Sequence, residues 1–172
     1  MTKHSVCVLD YFTSSLKNAM LDKMFKAWDN NQKRTIEPLC GTAAQDQADT
    51  AQGAWFSPGF SSNSGEDPHI ALVHDYFDYN TPIFSVGTNM AKSGLNVGVY
   101  PISVQHSGQV NRDFDEVTTD GNIYCYDSSG NGYTTGPLKI LVQLTDSIHL
   151  KVEKQSNSCD SGPWSFTGNA TT

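Results

Sequence analysis

The chain has 172 residues, a hydrophobic content of 37% and a formal net charge of −7 at pH 7. This length predicts a single domain, residues 1–172, large enough to bury a core without a structural metal. The charge is uneven, because residues 1–36 carry six Lys and Arg against three Asp, while residues 37–172 carry five against fifteen Asp and Glu. The acidic part would repel a polyanion, which argues against nucleic acid as a partner. No apolar run approaches the ~20 residues that span a bilayer, which argues against membrane insertion.

Four cysteines enclose two separate parts of the chain, Cys7 with Cys40 and Cys125 with Cys159. No C-x-x-C or C-x-x-H spacing occurs, so the pattern favours disulfides formed in an oxidising compartment over a metal site. Of three possible pairings we favour Cys7–Cys40 and Cys125–Cys159. Each of these disulfides closes a loop and would stabilise the folded state by roughly 3–4 kcal/mol, because it restricts the unfolded chain. The alternative is four reduced cysteines buried in a cytosolic protein. The disulfide interpretation predicts a secreted or periplasmic protein from which any export signal has been removed.

The pattern of residues 10–28 predicts a short non-helical segment followed by an amphipathic helix. Its apolar positions recur every four residues: Leu16, Met20, Met24 and Trp28. Ser14 is the predicted N-cap, and Asn30 with Asn31 the predicted stop. An apolar stripe of this kind is typical of a core-facing helix. We therefore expect residues 1–52, the helix and a connection, to pack on a β body formed by residues 53–172.

The remainder of the chain is rich in strand patterns separated by Gly, Asn, Asp, Ser and Pro turns. The eight predicted strands span residues 54–56, 70–76, 83–86, 97–104, 122–126, 138–144, 148–153 and 164–166. In the clearest hairpin, Leu138, Ile140, Val142 and Leu144 share a face with Ile148, Leu150 and Val152 across the turn at residues 145–147. The predicted fold class is α+β, mainly antiparallel β: a barrel or sandwich of about eight strands with one N-terminal amphipathic helix.

Gly53-Ala54-Trp55 resembles the G-x-W motif that opens the barrels of lipocalins and related calycins. This resemblance implies an eight-stranded up-and-down barrel that encloses one small apolar ligand. The alternative is an ordinary strand with a tryptophan in the core.

A second resemblance covers nearly all of the chain. It is carried by the segments TIEPLCGT (35–42), TAQGAWF (50–56), EDPHIALVHD (66–75), FSVGT (84–88), VNRDF (110–114) and DGNIYCYD (120–127). These are similar to an uncharacterised group of bacterial exported proteins, in which such segments form the C-terminal portion after a region resembling LytM-type cell-wall peptidases. The resemblance implies no activity and no catalytic residues, because the zinc-binding H-x-H and H-x-x-x-D elements of those peptidases have no convincing counterpart here.

Several residues are candidates for chemistry, although no metal site or cofactor is predicted. His69 and His74 are five positions apart, so on one strand they point to opposite faces and do not share an ion. His74 falls on the face of Ile70 and Leu72, which favours a buried histidine. His106 and Ser107 lie in a segment typical of a turn, without a G-x-S-x-G elbow. An enzyme would draw on His74, His106, Ser107 and Asp113.

The sequence favours a non-catalytic binding or accessory domain of an exported bacterial protein that acts at the cell envelope on a glycan or protein ligand. Exposed aromatic side chains would make the contacts. The candidates are Trp55, Tyr76, Tyr79 and Tyr126, with Phe77 and Tyr133. The alternatives are a hydrolase that uses His74 and nearby acidic residues, assisted by a divalent metal, and a calycin-like carrier of a small ligand.

Overall fold

The computed structural model describes residues 7–24, 33–34, 39–40, 45–59, 69–88, 90, 94–130 and 137–172. The chain divides into two compact units. The first unit comprises Met1–Ala44 and His74–Asn80, and the second comprises Gln45–Val73 and Thr81–Thr172. A segment from the middle of the predicted β body thus belongs with the N-terminal residues. The packing of residues 1–52 on that body stays a prediction.

The described part of the first unit contains a short 3-10 helix, Val8–Tyr11, and one α-helix, α1, Ser14–Leu21. The N-cap of α1 is Thr13, whose hydroxyl accepts a hydrogen bond from the Leu16 backbone N–H, so the predicted cap at Ser14 is wrong by one residue. Both residues carry a hydroxyl, and spacing alone does not decide which one the first turn selects.

The helix is also shorter and more exposed than predicted. It ends at Leu21, and none of its side chains is buried, so Leu16 and Met20 do not form the expected core stripe. A step of four residues advances about 40° around an α-helix, so a long stripe of that spacing would drift away from any single face. Trp28, Asn30 and Asn31 lie outside the described residues.

The described residues contain seven strands in two sheets. The first sheet has the order β1-β2-β3-β4, with β1 Gly53–Phe56, β2 His69–His74, β3 Pro82–Val86 and β4 Gly98–Pro101. The second has the order β5-β6-β7, with β5 Tyr124–Ser128, β6 Leu138–Asp146 and β7 His149–Lys154. The strands pair antiparallel in β1–β2, β3–β4, β5–β6 and β6–β7. The mainly antiparallel class is confirmed, but over the residues described the two sheets do not close into a barrel.

Seven of the eight predicted strands are present, and the eighth, residues 164–166, is irregular. The C-terminal residues instead reach β7 through Thr171, which exchanges two backbone hydrogen bonds of 2.8 and 2.9 Å with Val152. This pairing covers the outer edge of β7, an edge that would otherwise be open to association with another strand.

The two sheets contribute to one hydrophobic core in the second unit. Buried side chains from the first sheet include Leu72, Phe84 and Tyr100, and those from the second include Tyr126 and Val142. Three aromatic rings pack together in this core: the centroids of Phe84, Phe114 and Tyr126 lie 5.2–6.2 Å apart in tilted and edge-on geometry. Such pairs add about 0.5–1.5 kcal/mol each beyond the area they bury.

The β6–β7 hairpin follows the predicted alternation except at its turn. Val142 lies opposite Val152 and Leu144 opposite Leu150, and all four are buried. Ile148, predicted to face inward, is 74% exposed. Ile148 lies in the turn at residues 147–148, and β7 begins only at His149, so the alternation of the strand does not extend to Ile148. The register also shifts between Leu144 and Asp146, at the end of β6.

Both predicted disulfides, Cys7–Cys40 and Cys125–Cys159, are formed, which fits a protein of an oxidising environment. The second lies in a small cluster with buried Leu141, on the face of the second sheet away from the main core. Trp164 and Phe166 pack against this cluster.

Over the described residues, α1 and the short 3-10 helices offer no segment long and apolar enough to cross a membrane.

Candidate functional site

Residues 75–80, called here the aromatic turn, connect β2 to β3 and belong to the first unit. The predicted strand 70–76 stops at His74, because Asp75 redirects the backbone. Its Oδ1 accepts hydrogen bonds from the backbone N–H groups of Phe77, at 2.6 Å, and Asp78, at 3.0 Å. Asp78 Oδ1 in turn accepts from Asn80 N at 3.3 Å. These local bonds fix a tight turn that displays three aromatic residues.

Tyr79 is the most exposed aromatic ring of this turn, at 45%. Its centroid lies 4.5 Å from that of His74, with a 39° angle between the planes. His74 itself is buried, as predicted, on the face of β2 that carries Ile70 and Leu72. One side of the Tyr79 ring therefore rests on a fixed imidazole, and the exposed remainder is available to a ligand.

Tyr76, 37% exposed, is held by a buried arginine. The Arg34 guanidinium carbon lies 3.2 Å from the centroid of the Tyr76 ring, and Arg34 Nη1 donates a 2.9 Å hydrogen bond to the carbonyl of Leu39. The edge of Tyr76 meets Phe77, with centroids 5.7 Å apart at 81°. A desolvated cation–π contact contributes about 2 kcal/mol, so Tyr76 is anchored and does not swing freely.

The residues that would serve a hydrolase fall in both units: His74 in the first, and His106, Ser107 and Asp113 in the second. His106 contacts Glu116, which is not one of these four residues: its Nδ1 lies 3.3 Å from Glu116 Oε1. The other oxygen of Glu116 lies 2.7 Å from Arg112 Nε. His106 thus contacts the Arg112–Glu116 ion pair at the surface.

Asp113 has a structural task. Its Oδ1 accepts a 2.7 Å hydrogen bond from the backbone N–H of Phe114 at the start of the 3-10 helix Phe114–Glu116. Ser107 lies in an exposed bend. Within the ranges described, no group of three or more His, Cys, Asp or Glu side chains could hold a metal ion.

The other binding candidates differ in exposure. Trp55 is half-buried against the core, and its Nε1 donates a 2.9 Å hydrogen bond to the carbonyl of Ala51. Tyr126, predicted as an exposed contact, is fully buried, and its hydroxyl donates to the Arg112 carbonyl at 2.8 Å. Burial raises the pKa of Tyr126 well above its ordinary value. Tyr126 is therefore a core residue, and Tyr133 lies outside the described residues.

A carrier would need an internal cavity, and the pocket that Trp55 lines together with Ile70 and Met90 of the core is small. It measures about 30 Å³ and is lined by Trp55, Ile70, Met90, Leu150 and Val152 among others. That volume is about one water molecule, far below the roughly 300 Å³ of a small-molecule site.

Comparison with protein-family models, with curated proteins and with solved structures finds no match to this chain. The resemblances to bacterial exported proteins and to calycins stay predictions.

Sequence reasoning selected Tyr76, Tyr79 and Phe77 as contact residues but missed Arg34. Aromatic residues in a turn are visible in the sequence, whereas the contact of Arg34 with Tyr76 joins distant parts of the chain and leaves no local pattern.

Proposed function

We propose that this protein is a non-catalytic binding module of an exported bacterial protein, secreted or periplasmic, and that the aromatic turn contacts a ligand at the cell envelope. The observation that carries the proposal is Tyr79, a ring 45% exposed that is supported from behind by buried His74. Two disulfides support the extracytoplasmic location.

A glycan suits this turn better than a protein. The flat face of an exposed tyrosine packs against the C–H face of a sugar ring, and side chains beside it bind the ring hydroxyls. Tyr79 stands between Asp78 and Asn80, which are hydrogen-bonding residues. Protein hot spots are instead surrounded by contacts that exclude water, and the polar neighbours of Tyr79 do not form such a rim.

The turn is also ordered before any ligand arrives. Asp75 fixes its backbone, Arg34 holds Tyr76, and His74 supports Tyr79. Immobilising a side chain on binding costs about 0.5–1.5 kcal/mol, and a prearranged ring avoids part of that cost. A weak stacking contact can therefore yield measurable affinity.

The test is binding of the purified protein to insoluble peptidoglycan and to a panel of soluble cell-wall polysaccharides, measured by sedimentation and by calorimetry. Tyr79→Ala should weaken binding about tenfold, the equivalent of one lost aromatic contact of about 1.4 kcal/mol. Tyr79→Phe should bind like the unmodified protein, because it keeps the ring.

The matched control is Tyr11→Ala, which removes a tyrosine of the same unit that is 81% exposed but lies outside the aromatic turn. This variant should retain full binding. Equal affinity for Tyr79→Ala and the unmodified protein, with the fold intact by circular dichroism, would reject the aromatic turn as the contact surface. Failure to bind any glycan while an envelope protein binds through Tyr79 would reject the glycan and retain the module.

A further inference from the structure

A second surface of different chemistry lies in the second unit. A groove of about 600 Å³ runs along β1 between the turn at residues 46–50 and the tip of the β6–β7 hairpin. Phe56, 52% exposed, and Ile148, 74% exposed, contribute apolar surface, and the half-buried ring of Trp55, which packs against the core, also lines the groove. The volume lies within the range of about 300–1,000 Å³ that is usual for ligand sites.

The walls of this groove are fixed by hydrogen bonds. Asp46 Oδ1 accepts a 3.1 Å bond from the backbone N–H of Ala54, which attaches the turn to β1. Gln47 N donates to the carbonyl of Gln52 at 3.0 Å, and Gln52 Nε2 donates to the carbonyl of Gln45 at 2.8 Å.

Gly53 permits this close attachment. Its φ is +152°, and a Cβ at this position would lie 3.1 Å from Asp46 Oδ1. A side chain would be strained there and would crowd the carboxylate. The groove is therefore built into the fold and does not depend on a ligand to form.

The polar lining of the groove accepts hydrogen bonds and carries negative charge. Asp46 and Asp49 line it, and none of its lining residues is Lys, Arg or His. Gln52, only 4% exposed, also lines it, and its Oε1 has no hydrogen-bond partner within the described part of the chain. A buried acceptor without a donor costs free energy that a bound donor would recover.

These observations select a ligand that carries both positive charge and apolar surface. We propose that the groove binds a basic segment of a partner protein, in which a lysine ammonium pairs with Asp49 and a neighbouring aliphatic side chain packs on Phe56 and Ile148. Charge complementarity identifies the occupant, because the carboxylates of the groove have no cation beside them in its lining. An acidic segment would be repelled by the same carboxylates. The Asp46 carboxylate occupies the N–H of Ala54 on the edge of β1, so side chains rather than strand addition provide the recognition.

The probe is a fluorescent six-residue peptide of alternating lysine and leucine, compared with the same peptide carrying acetyl-lysine and with one carrying glutamate. Fluorescence anisotropy at low salt should show binding of the lysine peptide only. Asp49→Asn should weaken it about three- to tenfold and reduce its dependence on salt. Asparagine keeps the positive φ of 61° that Asp49 adopts, so this variant should fold.

Ile148→Ser tests the apolar half of the groove and should weaken binding by a similar factor without altering the salt dependence. The matched control is Asp160→Asn, an exposed carboxylate of the same unit that does not line the groove, which should bind normally. Equal binding of the acetylated peptide, unchanged affinity in Asp49→Asn, or no binding of the lysine peptide would overturn the proposal. The outcome is independent of the glycan site, because Tyr79→Ala should leave peptide binding intact and Asp49→Asn should leave glycan binding intact.

Discussion

Removal of the Cys125–Cys159 disulfide should destabilise the second unit through two separable effects. The bond links residues 34 positions apart. In the chain-entropy model, a loop of that length stabilises the folded state by about 4 kcal/mol at 25 °C, by restricting the unfolded chain. Both cysteines are also buried beside Leu141. Replacement by alanine removes two buried sulfur atoms, which we expect to cost about a further 1 kcal/mol each.

The two effects can be measured separately in a Cys7→Ala/Cys40→Ala background, where only one disulfide is left to reduce. Urea unfolding should be followed by far-UV circular dichroism and by tryptophan fluorescence, to which Trp164 contributes from its position against the buried cysteines. Reduction alone should lower the free energy of unfolding by about 4 kcal/mol, and Cys125→Ala/Cys159→Ala by about 6 kcal/mol. A loss below about 2 kcal/mol on reduction would show that the unfolded chain is already restricted and would refute the entropic reasoning.

The remaining predictions concern the hairpin and the buried tyrosines. Leu144→Ala should lower the free energy of unfolding by about 2–5 kcal/mol, whereas Ile148→Ala in the same hairpin should change it by less than about 0.5 kcal/mol. The reason is that only Leu144 is buried. Equal decreases of the free energy of unfolding in urea titrations of the two variants would contradict the observed hairpin. Burial, followed by the hydrogen bond to the Asp120 carboxylate, raises the pKa of Tyr124 to about 12, and burial raises the pKa of Tyr126 well above its ordinary value. The stabilisation from these neutral phenols is complete below pH 10, so the free energy of unfolding should fall above pH 10 by about 1.4 kcal/mol per pH unit for each tyrosine. A flat pH–stability profile between pH 10 and 12 would rule this out.

The sequence predicted the parts of the fold that depend on local pattern. Alternation along β2 placed His74 on the buried face and His69 on the other, and the structure confirms both. The even cysteine count with no metal spacing led to the correct disulfides. These features depend on period and composition, which a single chain displays directly.

The errors arose where distant parts of the chain determine exposure. Along residues 123–126, at the start of β5, both faces of the chain are apolar, since Tyr124 and Tyr126 alternate with Ile123 and Cys125. One face enters the main core and the other is covered by the disulfide cluster, so alternation could not show that Tyr126 is buried. Ile148 is likewise exposed because the hairpin turn includes it and β7 begins only at His149, a boundary that the alternation of its own segment does not reveal.

The same distinction applies to the candidate site. Its aromatic residues were visible as a sequence feature, but their usefulness for binding comes from contacts that hold them at the surface. Without Asp75, His74 and Arg34, the tyrosines of a short turn would sample many rotamers and would lose entropy on binding. With these contacts in place, the Tyr79 ring is held at a defined angle to the His74 ring and exposes part of its surface to solvent. The side chains that support a binding surface are thus as important for its affinity as the rings that touch the ligand. Variants of Asp75 or Arg34 should therefore weaken glycan binding even though they do not replace Tyr79 itself.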